Sequence, residues 1–223
     1  MEWSPLALSL QAALLSTVIS FVIGVYLAWL VSRMRRFRGL VDGLLTLPLV
    51  LPPTVVGFFL LLIFGRNSFF GQLLDSIGIS VVFTQGATVI ASTVVAFPLM
   101  YRTVSGAFSQ LDEDMLSAAR TLGMSEHRIL RKIMLPNSVS GIAAGTILTF
   151  ARALGEFGAT IMIAGNIPGK TQTMAVAVYS AMAAGNRELA YQWVLIIVAI
   201  SLASVIGMNL VESRMRRKNG RRI

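Results

Sequence analysis

The chain has 223 residues, of which 55% are hydrophobic and 13% charged, and its mean hydropathy is +0.74. These proportions exclude an ordinary soluble domain and describe a chain that spends most of its length in lipid, with one membrane domain the natural count. The net charge of +9 does not mark a nucleic-acid binder, because the cations gather beside apolar segments; the absence of cysteine removes disulfide and thiolate chemistry, and the lone His127 cannot build a histidine metal cage.

Apolar spans run near 8–32, 41–64, 86–106, 138–164 and 190–211. Each is long enough to cross a hydrocarbon core of roughly 30 Å, so the expected fold is an all-α polytopic membrane protein of about five transmembrane helices. The opening Met1-Glu2-Trp3-Ser4-Pro5 has no cationic n-region and no prompt small-residue cleavage site, so the first span is expected to be retained. Ser20, Gly24 and Ala28 form a small-residue stripe on that span, suited to close helix packing. Arg33, Arg35, Arg36 and Arg38 follow it, Arg102 closes the third span, and Arg214, Arg216, Arg217, Lys218, Arg221 and Arg222 follow the last. With five spans all of these lie on one side, which is then cytoplasmic; the N-terminus is outside and the basic tail at 212–223 inside.

In the second span, Pro48, Pro52 and Pro53 each remove a backbone donor, and the adjacent pair forbids a regular helix. The span should be broken there, against other helices or a wet cavity, since unsatisfied carbonyls are costly in lipid. Either a structural kink or a functional hinge fits. Residues 66–85 are then an external loop.

The third span leads into a cytoplasmic loop at 107–136 with its own helical grammar. Asp112 is placed to cap a helix that Glu113 and Asp114 load with negative charge and that ends near Leu122, before Gly123. Ser125 can cap a second helix, with Ile129, Leu130, Ile133 and Met134 on one face and Arg128, Arg131 and Lys132 elsewhere; Pro136 marks the junction with the next span. Ala118, Ala119 and Gly123 are small, so a partner can approach the turn closely, although an ordinary solvated loop has the same charge pattern. Tethered between two spans, this helix-turn-helix is poorly placed to enter a major groove.

Arg152 and Glu156 stand near the middle of the fourth span at a spacing that shares a helix face. Each costs about 2.5–3.5 kcal/mol at the bilayer centre, so they should face inward and satisfy one another, as a structural pair or beside a pathway. Gly141 and Gly145 on the same span form a G-x-x-x-G suited to packing. In the following loop, 165–189, the run Gly-Asn-Ile-Pro-Gly-Lys-Thr at 165–171 imitates a phosphate loop, but Ala164 stands where a glycine is needed and no strand precedes it. The apolar stretch 173–184 is too short to cross and reads as a half-helix or re-entrant segment. No carboxylate cluster at metal spacing and no nucleophile with a base in reach is evident, so no catalytic residue and no cofactor is assigned to the chain.

The pattern Ala118-Ala119, Gly123, Ile133 and Leu135-Pro136 resembles the E-A-A signature of permease subunits of ATP-driven, binding-protein-dependent (ABC) importers, with Ser117 in place of the usual Glu. The runs 46–57 and 151–173 are similar to those of molybdate importer permeases, and sulfate permeases share the G-E-aromatic-G element. The resemblance implies a single importer transmembrane domain over 1–223 that works as a homodimer with two cytoplasmic ATPases and an extracytoplasmic molybdate-binding protein. ATP would be used by the partner subunit, not by this non-catalytic chain. Residues Ala118, Ala119, Arg120, Gly123, Ile133, Leu135 and Pro136 would form the ATPase-coupling loop, and external Asn166, Lys170 and Thr171 would be open to the binding protein. Tungstate or sulfate are the alternative cargoes, and an ion-coupled secondary transporter or a membrane scaffold the rival classes.

Overall fold

The computed structural model describes residues 3–34 and 36–219, and all regular structure among them is helical. Arg35, Arg221 and Arg222 lie outside the described residues, as do the side chains of Arg214, Arg216, Arg217 and Lys218 in the basic tail. In chain order the helices are α1 (Ser4–Ser32), α2 (Arg38–Val50), α3 (Pro53–Phe64), α4 (Phe69–Ser76), α5 (Gln85–Ser109), α6 (Glu113–Thr121), α7 (Glu126–Ile129), α8 (Leu135–Asn137), α9 (Val139–Leu154), α10 (Gly158–Ile163), α11 (Met174–Ala183) and α12 (Arg187–Asn219), with a π-turn over Leu130–Met134 between α7 and α8.

Three of these, α1, α5 and the Arg187–Gly207 part of α12, are individually long and apolar enough to cross a membrane. The expected second span is not one rod: α2 turns by 109° into α3. Leu51 and Pro52 are extended there, and Pro53 opens α3 at a position where a missing N–H costs nothing. Pro48, by contrast, is accommodated inside α2. The expected fourth span is also interrupted, between α9 and α10 at 155–157, which hydropathy alone could not show. The 66–85 segment is not a bare loop, since it holds α4, capped by Ser68, whose hydroxyl accepts the Gly71 N–H at 2.9 Å.

The bundle is organised around α5. The small stripe of α1 lies against it: Ser20 and Ala28 are fully buried, and a Cβ on Gly24 would come within 3.0 Å of Met100 Cγ. Leu14, Val18 and Val22 on the other face of α1 are exposed, as a lipid-facing row requires. On a neighbouring face of α5, a Cβ on Gly141 would sit 2.5 Å from Ala107 Cβ, and one on Gly145 3.2 Å from both Met100 and Thr103. The G-x-x-x-G is therefore a packing device that lets α9 run antiparallel to α5 at short range. Further along, the Phe83 N–H, just before α5, donates to Ile163 O at the end of α10, so α9 and α10 together cover α5 from one end to the other. The expected half-helix is α11, whose first N–H group, at Met174, donates to Ser9 Oγ of α1 at 2.8 Å.

Candidate functional site: a docking turn and two helix breaks

The segment after α5 is built by local chemistry. Asp112 Oδ1 accepts the Asp114 N–H at 2.8 Å, and Glu113 and Asp114 sit in the first turn, where the helix dipole favours them. α6 ends in a Schellman turn: Gly123 adopts φ +75°, its N–H donates to Arg120 O at 2.9 Å, and the Met124 N–H donates to Ala119 O at 3.1 Å. Ser125 begins the next helix with its carbonyl, which accepts from Arg128 and Ile129, but its hydroxyl caps nothing, contrary to expectation. The π-turn comes just before Pro136, which can donate no N–H, and the chain bends by 77° at Ser138 rather than at the proline.

This segment is not a loose connector. Ala119, Ile129, Leu130 and Met134 are buried in one cluster with Trp29 and Val31 of α1 and with Val104 and Phe108 of α5. Burying the three larger side chains stabilises the attachment by about 1.5–3 kcal/mol each, enough to seat the segment on the end of the bundle. Arg128, Arg131 and Lys132 point to solvent as the periodicity predicted. Ser117, Ala118, Arg120, Leu122 and Gly123 form the exposed rim of the turn, with Leu122 82% exposed. Of the expected coupling residues, then, Ala119 belongs to the core, Ile133 and Leu135 are partly buried beside it, and Ala118, Arg120, Gly123 and Pro136 remain accessible.

A second group of residues meets inside the bundle. α9 ends at Leu154, so Glu156 does not share a regular helix face with Arg152 as the spacing suggested; it lies in the break before α10. Its carboxylate is nonetheless consumed locally. Oε1 accepts the Ala159 N–H at 2.9 Å, and Oε2 lies 2.6 Å from Arg152 Nη1, an ion-pair contact outside hydrogen-bond alignment. The Glu156 side chain is 1% exposed and that of Arg152 30%. The level follows from the helix contacts. Gly145 and Gly24 both abut Met100, and Arg152 is seven residues, about 10 Å, further along α9, level with about Thr17 near the middle of α1.

The proline break lies against this one. A Cβ on Gly158 would be 2.9 Å from Pro53 Cβ, and one on Gly57 would be 2.7 Å from Ala159 Cα, so α3 and α10 touch backbone to backbone. The sequence offered the double proline and the charged pair as separate features; the fold joins them. On either side of the 155–157 break, the hydroxyls of Thr149 and Thr160 are buried without a hydrogen-bond partner. The expected external contact residues divide: Asn166 and Lys170 are exposed, but Thr171 is fully buried, its hydroxyl accepting the Ile167 N–H at 3.0 Å, so it shapes the turn rather than offering a surface.

Two acids were passed over in the sequence. Asp42, at the start of the second span, accepts a hydrogen bond from Tyr101 of α5 and lies 3.8 Å from Arg38. Glu126 lies 2.9 Å from Arg120 Nε and 3.7 Å from Arg33 Nε. The signal for Glu126 was present: it is the only acid between Asp114 and Pro136, in a stretch with Arg120, Arg128, Arg131 and Lys132.

The chain, a helical bundle with a packed, exposed turn at one end and broken helices inside, belongs to the family of binding-protein-dependent transport system inner membrane components, whose model matches residues 20–217. It is 45% identical over 201 residues to YvgM of Bacillus subtilis (strain 168), covering 89% of this chain and 88% of that one. It is 40% identical over 223 residues to the molybdenum transport system permease protein ModB of Escherichia coli (strain K12), covering 99% and 97%. Against the sulfate transport system permease protein CysT of Salmonella typhimurium (strain LT2) the identity is 34% over 211 residues, 94% of this chain and 76% of that one. The fold matches the bacterial ABC transporter that imports alginate at a TM-score of 0.77 with 15% identity, covering 95% of this chain and 78% of that one. It also matches the inward-facing MetNI methionine ABC transporter at 0.71 with 16% identity, covering 95% and 93%.

Proposed function

We propose that this chain is the translocation subunit of an ATP-driven importer that carries molybdate across the inner membrane by alternating access. The observation that carries the cargo is its near full-length likeness to ModB. Sulfate is the second reading, favoured by the likeness to CysT, and tungstate shares molybdate's size and charge. In this reading the whole of 1–223 is one membrane domain, and two copies form the pathway between them, with the N-terminus outside and the C-terminus in the cytoplasm. Two cytoplasmic ATPase subunits supply the energy, an external oxyanion-binding protein supplies the cargo, and this chain hydrolyses nothing.

ATP binding would draw the two ATPases together, and the rim of Ala118, Leu122 and Gly123, seated in them, would move with them. Because the segment is fixed to α1 and α5 by its apolar side, that motion would pass to the long helices. The paired breaks at Pro52–Pro53 and 155–157 are where regular helix is interrupted, so they would act as the hinge. Glu156, held by Arg152 and the Ala159 N–H, would keep Arg152 in place as a partly compensated cation at mid-depth, attractive to a passing oxyanion without retaining it. That engagement of the carboxylate supports a positioning role over the proton-carrying role an ion-coupled transporter would need. Asn166 and Lys170 would meet the binding protein.

The test is uptake of labelled molybdate into proteoliposomes holding this subunit, with and without a cognate ATPase, ATP and the binding protein. The proposal expects uptake only with all components; full uptake by this chain without ATP would overturn it. Labelled sulfate run in parallel decides between the two cargoes.

A further inference from the structure

The two halves of the docking segment and the end of α1 meet at Glu126. Its Oε1 lies 2.9 Å from Arg120 Nε across the Gly123 turn, and its Oε2 lies 3.7 Å from Arg33 Nε just past α1. Arg33 in turn lies over the Trp29 ring at 5.1 Å, and the neighbour of Glu126, His127, meets the same ring edge-on at 4.8 Å. Trp29 is 2% exposed and belongs to the cluster that anchors the segment. With Ser117 one turn before it, Arg120 has no acid within reach on its own helix, so Glu126 is its partner. One carboxylate therefore ties α6, α7 and the end of the first long helix into a single unit.

We propose that Glu126 is the positioning residue that makes the docking turn and α1 move as one body, so that displacement of the turn by an ATPase reaches the transmembrane helices instead of being absorbed in the segment. The inference rests on the importer reading above. The ion pairs are about half exposed on their arginine side, and pairs of that kind contribute little to stability. The apolar anchors hold the segment down without them. What the carboxylate adds is direction: it links α6 to α7 across the closed Gly123 turn and links both to the end of α1.

The chain has no cysteine, so paired spin labels can be placed cleanly at Met34 and Thr121, both exposed, in the full chain in liposomes. The proposal expects a narrow distance distribution between them, broadened by Glu126→Gln and largely restored by Glu126→Asp, which keeps the charge. An unbroadened Glu126→Gln distribution would overturn it, whether or not the chain is an importer. In the assembled transporter, Glu126→Gln should retain its ATPase and continue to hydrolyse ATP while molybdate taken up per ATP falls about fivefold, the low end of ordinary coupling between sites. Unchanged uptake per ATP would overturn the proposal, whereas failure of the wild-type transporter to use ATP at all would strike the importer reading and leave the spin-label result standing on its own.

Discussion

The docking turn and the paired breaks are both interruptions of helix, yet they are held in opposite ways. At the turn, the chain closes its own backbone locally, with an aspartate cap and a Schellman closure on Gly123, and sets apolar side chains onto the bundle end. At the breaks, Pro52–Pro53 and 155–157 interrupt the regular helices and are held against each other through Gly57 and Gly158, with one buried carboxylate beside them. The first arrangement makes a firm body with a free surface. The second leaves a close-fitting joint whose halves can shift without breaking a ladder of hydrogen bonds, which suits a hinge.

The largest effect is expected at the carboxylate of the joint. Glu156→Ala removes one partner of a buried pair and frees the Ala159 N–H, and should cost about 3–5 kcal/mol; the check is the melting temperature of the purified chain in detergent, and a shift no larger than that of an exposed-site control would contradict the joint as drawn. Next, Ile129→Ala should cost about 2–5 kcal/mol by opening a cavity beneath the segment. Proteolysis between 110 and 137 should become faster in this variant while the spans stay protected.

Smaller again is Gly123→Ala, which forces a side chain into φ +75° at about 1–2 kcal/mol. No atom lies near enough to clash, so Gly123→Trp should insert into the membrane normally and lose co-purification with an ATPase through the bulk on its rim. Unchanged co-purification would count against docking at this turn. The smallest effect belongs to Asp112→Ala, about 1 kcal/mol from a lost cap, read as a slight rise in amide exchange over the first turn of α6.

What the sequence disclosed tracks how local the cause is. Asp112, Gly123, the buried face of 129–134 and the glycine pair on α9 rest on spacing within one helix, and each took the place its pattern implied. The interruption at 155–157 was hidden because it carries no proline and lies inside a long, mostly apolar stretch where Arg152 and Glu156 have helical spacing; the Glu156 carboxylate there bonds the Ala159 N–H at the start of α10. The meeting of the two breaks involves residues about a hundred positions apart, beyond any periodicity. Thr171 read as a polar loop residue, yet the chain folds its hydroxyl under the Ile167 N–H. Glu126 was legible only as a lone acid among cations; its reach to Arg33 depends on the segment folding back onto α1.

The central claim is that the docking segment moves as a rigid body while the paired breaks flex. Spin-label distances in the assembled transporter, taken with and without ATP under conditions that prevent its hydrolysis, test it most directly. One pair would be Met34 with Thr121 and the other Thr54 with Leu148, all four exposed. The account predicts that ATP leaves the first distance unchanged and shifts the second, whereas a shift confined to the first, with the second fixed, would contradict it.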